Sequence, residues 1–152
     1  MTATTPISLD NHTLTIEEEI RVKASLETTF AALLEQLGPA FTAPDGASLR
    51  AKVEAFPGGR WYRDLGDNNG HFWANVQAIK RPTLLELCGP LMLSFPATHN
   101  VQYRLSHENG VTTIKFHHYG FGSIPEGART GMPDGWTMIH DRVKQQAEAA
   151  RK

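Results

Sequence analysis

Apolar and polar residues alternate from Leu14 to Lys23: Leu14, Ile16, Ile20 and Val22 fall on one face, and Thr15, Glu17, Glu19, Arg21 and Lys23 on the other. A period of two is that of a strand with one face buried, so this segment is a strand. Glu18 interrupts it by landing on the apolar face. Ser25 follows, with the short polar side chain that caps a helix N-terminus. Leu26, Phe30, Leu33, Leu34 and Leu37 then recur at helical spacing until Gly38-Pro39, which predicts an amphipathic helix of about three turns. Phe41 to Gly46 is compatible with a further helical turn or with a loop.

From Ala51 onward the pattern returns to strands separated by turn residues: Ala51 to Phe56, Arg60 to Leu65, His71 to Ile79 and Thr83 to Cys88. After a loop bearing Pro and Gly come His99 to His107 and Val111 to Tyr119, joined by Glu108-Asn109-Gly110. Asn-Gly between two alternating runs is a strong hairpin signal, because both central residues of that turn need positive φ. Beyond Gly131-Met132-Pro133-Asp134, Trp136, Ile139, Val143 and Ala147 share one helical face. The expected fold is therefore α+β. A curved antiparallel sheet of about six or seven strands wraps on a long C-terminal helix, with one or two short helices after the first strand. This is a helix-grip arrangement, and sheet curvature leaves a cavity under the helix.

Composition narrows the classes of partner. The 152 residues are the size of one domain, able to bury roughly 70% of the surface of the unfolded chain. One domain over residues 1–152 is expected, with 1–11 flexible. Net charge is −1 and the charges are interspersed, so no basic stripe invites nucleic acid. The lone Cys88 excludes an intrachain disulfide, and the polar Met1 to Asp10 does not read as a leader. No apolar run reaches the roughly 18 residues of a membrane span, since Leu84 to Phe95 is broken by Glu86, Gly89 and Pro90. A cytoplasmic protein without a membrane partner is expected.

The chain resembles the START-like (SRPBCC) superfamily, and within it bacterial single-domain proteins related to the activator of the 90-kDa heat-shock protein's ATPase. The resemblance rests on Ile20-Arg21-Val22-Lys23-Ala24-Ser25-Leu26-Glu27-Thr28-Thr29-Phe30, the Pro57-Gly58-Gly59-Arg60 turn, the Gly70 to Pro82 strand, and Gly135-Trp136 opening the final helix. Their order and spacing span nearly the whole chain. The superfamily includes lipid carriers, hormone receptors and polyketide cyclases, so the resemblance implies a ligand cavity without naming the ligand.

Strand parity places Thr112, Ile114, Phe116 and His118 inward, away from Lys115, and His99, Val101, Tyr103 and Leu105 beside them. Glu18, His99, Tyr103 and His118 are then polar groups in an apolar interior. A desolvated carboxylate beside an imidazole could exchange protons with it, which makes Glu18 and His118 the candidate acid and base. The structural alternative is a hydrated Glu18 at a rim and histidines hydrogen-bonded in the wall. The candidate ligand-binding residues are the aromatics Trp61, Phe72, Tyr103, Phe116 and Trp136, the polar His99 and His118, and the aliphatic Val101, Ile114, Met132 and Ile139. For Trp136 plain core is the favoured reading over ligand contact.

No metal is expected, because the seven histidines include no His-Glu-x-x-His pair and His117 and His118 point to opposite faces. Only a cross-strand pair of His99 and His118 could be tested. Cys88 has no adjacent base and no Gly-x-Ser-x-Gly elbow occurs. The glycines from Gly120 to Gly127 have no phosphate-loop spacing, so no cofactor is expected. The segment Gly120 to Pro133 reads as a mobile gate with glycine hinges.

The expected function is binding of a small hydrophobic or aromatic molecule between sheet and terminal helix, by a monomer or weak homodimer. One alternative is a cyclase or hydrolase acting on a polyketide-like or aromatic substrate. The other is a chaperone-interacting protein, for which no charged or apolar surface stripe is evident.

Overall fold

The structure is a computed structural model and describes residues 12–150. In chain order it contains β1 (Thr13–Val22), α1 (Leu26–Leu37), β2 (Ala51–Val53), β3 (Arg60–Gly66), β4 (Asn69–Lys80), β5 (Leu84–Gly89), β6 (Ala97–Glu108), β7 (Val111–Gly122) and α2 (Glu126–Ala150). The expectation of flexibility for 1–11 lies outside the described residues. All seven strands form one antiparallel sheet in the order β1-β7-β6-β5-β4-β3-β2. Consecutive strands from β2 to β7 are neighbours, and β1 closes the far edge against β7. No described helix is long and apolar enough to cross a membrane.

Local chemistry sets most of these boundaries. The Ser25 hydroxyl accepts a hydrogen bond from the Thr28 N–H at 3.1 Å, capping α1 as expected, and the helix ends at Gly38. Thr29, Phe30, Ala32, Leu33 and Leu37 form its buried face. The β6–β7 hairpin turns on Asn109 (φ 53°) and Gly110 (φ 79°), and β3–β4 turns on Asp67 (φ 51°) and Asn68 (φ 61°). Both are two-residue connections with consecutive positive φ, whose twist matches that of the strands. The stretch after α1 forms a bridge between Thr42 and Ser48, so a single helix follows β1.

Two features depart from the sequence reading. Helix α2 begins at Glu126, well ahead of Gly135-Trp136, and carries Gly127, Gly131, Pro133 and Gly135 within it. The segment Gly120 to Pro133 is therefore the end of β7, a short link and two turns of helix, not a flexible gate. Glycine and proline weaken a helix locally, but tertiary contacts hold this one: the Arg129 guanidinium donates to the Ile124 and Thr13 carbonyls at 3.1 and 2.7 Å. Met132 packs on the core.

The second departure is in β4. Trp61 pairs with Ala74 while Tyr62 pairs with Phe72, so Trp73 is the extra residue of a β-bulge. The bulge puts Trp73 and Ala74 both in the interior and leaves Phe72 on the surface, 40% exposed. Phe72, expected in the cavity wall, is thus on the outside, and Trp73 holds the interior position.

Candidate functional site

Helix α2 lays Trp136, Ile139, His140, Val143 and Ala147 against the rest of the chain. Opposite them the sheet presents Tyr103 and Phe116 side by side in register on β6 and β7, with ring centroids 5.0 Å apart. Phe116 reaches Trp136 at 4.8 Å and His140 at 4.5 Å, and Trp136 stacks on His140 with 12° between the planes. Trp61 meets Trp73 at 5.2 Å and Trp136 at 6.5 Å, while its indole N–H donates to the Leu37 carbonyl at 2.7 Å. The middle of the sheet–helix interface is therefore filled by aromatic rings. Trp61, Val101, Tyr103, Ile114 and Phe116 are all buried there, apart from the cavity described below.

Two polar chains cross this interior. In the first, Glu18 of β1 accepts hydrogen bonds from His140 Nδ1 (3.0 Å) and from the Thr137 hydroxyl (3.1 Å), and His140 Nε2 pairs with the Tyr103 hydroxyl at 2.9 Å. The hydrogen bond from His140 holds the Glu18 carboxyl below its ordinary pKa against the opposing effect of burial. Burial, with the Glu18 charge nearby, pushes the Tyr103 phenol well above its ordinary range.

In the second chain, the Trp136 indole N–H donates to His118 Nδ1 at 2.9 Å, and His118 Nε2 lies 2.8 Å from His99 Nδ1. Burial, followed by the proximity of His99, pushes His118 down to about 3, and burial lowers His99 too. Both rings are neutral near pH 7. His99 Nε2 is buried with no partner among the described residues, a situation that costs about 1–3 kcal/mol.

The expected pairing of Glu18 with His118 is not assembled. Parity correctly placed both inward, but the carboxylate meets His140, which the sequence reading passed over. The signal was present: His140 lies four residues after Trp136 and three before Val143, on the apolar stripe already identified. The His99–His118 pair exists, yet its nitrogens bond to each other. No group of three or more His, Cys, Asp or Glu side chains among the described residues could hold a metal ion.

Space remains at one end of α2. A cavity of about 290 Å³ is lined by Leu91, Met92 and Leu93 from the β5–β6 connection, by His118 of β7, and by Ala128, Gly131, Met132, Gly135, Trp136 and Ile139 of α2. The helix face over it carries small residues at consecutive turns. A Cβ added at Gly131 or Gly135 would meet nothing within 4 Å, so the missing side chains help make the void. Of the candidate ligand-binding residues, His118, Met132, Trp136 and Ile139 line this cavity, and His99 sits one hydrogen bond behind His118. Leu91, Met92 and Leu93 were missed, because nothing in an irregular segment tells which way its side chains point.

No protein-family model matches the chain, and no curated protein matches it. Solved structures do. CalU16 from Micromonospora echinospora aligns over 88% of this chain and 75% of its own, with 19% identity and a TM-score of 0.62. Ara h 8.0201 aligns over 90% and 99%, with 13% identity and a TM-score of 0.67. The Aha1 dimer from Colwellia psychrerythraea aligns over 89% and 96%, with 15% identity and a TM-score of 0.65. Likeness at these identities is likeness of fold, and with its seven-stranded antiparallel sheet and long terminal helix the chain has the helix-grip fold of the START-like (SRPBCC) proteins.

Proposed function

We propose that the protein binds a small hydrophobic or aromatic molecule in the cavity between the first half of α2 and the β5–β6 connection. One observation carries this reading: the cavity wall is apolar, and its polar side-chain atoms, the His118 ring nitrogens and the Trp136 N–H, are already hydrogen-bonded within the protein. Such a wall rewards burial of apolar surface, at about 25 cal/mol per Å², and offers little to a strongly hydrated ligand. Met92 and Met132 supply flexible thioether side chains that can adapt to an irregular guest.

Acid–base turnover by Glu18 and His118 is not supported by this geometry. Glu18 is committed to His140 and Thr137, and His118 has both nitrogens occupied and a pKa near 3. The reading that fits is binding without chemistry.

Native mass spectrometry of the purified protein, with thermal-shift titration of small aromatic compounds, tests it. Wild-type protein should retain or bind such compounds and gain thermal stability. Gly131→Leu, whose side chain would fill the void, should abolish that gain while the far-ultraviolet dichroism stays unchanged. Equal binding by Gly131→Leu would exclude this cavity as the site.

A further inference from the structure

The sheet ends on β1, a strand of 10 residues that pairs only with β7, in unbroken register and without a proline. The carbonyl of His12, just before β1, accepts from the Gly122 N–H, so even-numbered residues turn their backbone groups toward β7. Odd-numbered residues therefore turn theirs to the open edge. Helix α2 bears this out at both ends: Arg129 donates to the Thr13 carbonyl at 2.7 Å, and the Glu148 carboxylate accepts from the Lys23 N–H at 2.8 Å. Between these two clamps, the N–H and C=O groups of Thr15, Glu17, Glu19 and Arg21 have no partner among the described residues. Such a row is a template for another strand.

The side chains of the same residues stand exposed on the outer face of the sheet. Their charges run from acidic at Glu17 and Glu19 to basic at Arg21 and Lys23, and an antiparallel copy reverses that order. Only odd residues can face odd residues across the seam, since only they direct backbone groups at it, so the registers differ in where a two-fold axis falls. An axis at Glu17, Glu19 or Arg21 sets that residue against its own copy. An axis at Glu18 sets Glu17 against the partner's Glu19. With the axis at Ile20, Glu19 meets the partner's Arg21, Arg21 meets the partner's Glu19, and Glu17 meets the partner's Lys23. Every charged pair across the outer face is then of opposite sign, the arrangement that stabilises adjacent strands. Within one chain Arg21 is paired across β1 and β7 with Thr113, which has no charge to offer it. A net charge of −1 leaves little overall repulsion between copies.

We propose that two copies of this chain associate through β1, antiparallel about a two-fold axis at Ile20, and join their seven-stranded sheets into one continuous sheet. The contact uses the same edge of both copies, so it closes as a dimer and does not propagate. At the other edge β2 is only 3 residues long and offers no comparable template. No residue of β1 lines the cavity under α2, so the association stands apart from ligand binding.

The experiment is sedimentation velocity of the full chain from micromolar to millimolar concentration, with amide hydrogen exchange along the series. Wild type should pass from monomer to dimer, and the N–H groups of Glu19 and Arg21 should exchange more slowly as it does. Glu19→Arg and Arg21→Glu each convert both central pairs into like-charge contacts and should weaken self-association about tenfold or more. Both residues are exposed, so far-ultraviolet dichroism should be unchanged. Mixed in equal amounts, the two variants again set arginine against glutamate and should form a heterodimer, which native mass spectrometry identifies by its mass. Arg21→Lys, which keeps the charge, should dimerise like wild type. A dimer that survives both charge reversals, or a mixture that stays monomeric, overturns the proposal. A wild type that remains monomeric at millimolar concentration, with those amides exchanging freely, also overturns it and leaves the edge to an extended segment of a different protein.

Discussion

His140 Nδ1 lies 3.0 Å from Glu18 Oε1, so the carboxylate that interrupts the apolar face of the first strand is the point where the terminal helix docks. Thr137, one turn earlier on α2, donates to the other carboxylate oxygen. Together the two contacts fix the helix against β1, and His140 reaches on to Tyr103 of β6. A residue that looked catalytic in the sequence thus positions a structural element.

Glu18→Gln should remove about 1 kcal/mol of stability near neutral pH, since one charge-assisted hydrogen bond becomes neutral. The pH dependence follows from the direction of the shift. The folded-state pKa of Glu18 is held below its ordinary value of 4.5 by His140. Its contribution is therefore full above the unfolded value and is lost as pH falls through the folded one. Urea unfolding from about pH 3 to pH 7 should show wild type and Glu18→Gln converging at the acid end. A difference independent of pH would contradict the pairing. Ligand binding should be unaffected, because Glu18 is not in the cavity wall.

The bulge at Trp73 predicts opposite outcomes at adjacent positions. Trp73→Ala opens a void beside Trp61 and Phe41 and should cost about 3–5 kcal/mol. Phe72→Ser, at a half-exposed site, should stay within about 0.5 kcal/mol. Denaturant midpoints of the two variants decide which residue faces inward.

Gly131→Ala and Gly135→Ala should each stabilise the protein by about 0.5–1 kcal/mol. Neither glycine has positive φ, neither has an atom within 4 Å of the added methyl, and glycine inside a helix is entropically unfavourable. The same substitutions reduce the cavity, so the double variant should melt higher and bind aromatic ligands more weakly. A gain in stability with unchanged affinity would place the ligand elsewhere.

Gly120→Ala should act in the reverse sense. Its methyl would press on His99 Nδ1 at 2.7 Å and on Ile124 Cδ1 at 3.1 Å. The ring must move, and the bond to His118 weakens. A loss of about 1–3 kcal/mol is expected, accompanied by changed His99 and His118 imidazole resonances. An unperturbed histidine spectrum would mean that the ring has other room.

Much of the fold is legible in single segments, and the limits of that legibility are physical. Alternation in Thr112, Ile114, Phe116 and His118 states which side chains share a face, because the pleat makes that a property of the strand alone. Ser25 and Asn109-Gly110 mark a helix start and a hairpin through their own backbone chemistry. In β4 the same alternation misleads, since a bulge doubles one position and a count by twos does not show which. At Gly131 and Pro133 local propensity argues for a break, while contacts from residues distant in sequence hold the helix.

The sequence by itself determined the α+β architecture, the order of its elements and the inward polar set of Glu18, His99, Tyr103 and His118. Each of these follows from residue periodicity and turn chemistry within a short window. Only the tertiary structure decided that Glu18 meets His140, 122 residues away, that His118 is spoken for by Trp136 and His99, and that an apolar cavity lies beneath Gly131 and Gly135. Those contacts depend on the rotation and axial position of α2 over the sheet, which are set by the joint packing of Trp136, Phe116, Tyr103 and Trp61 and reside in no one segment of the chain.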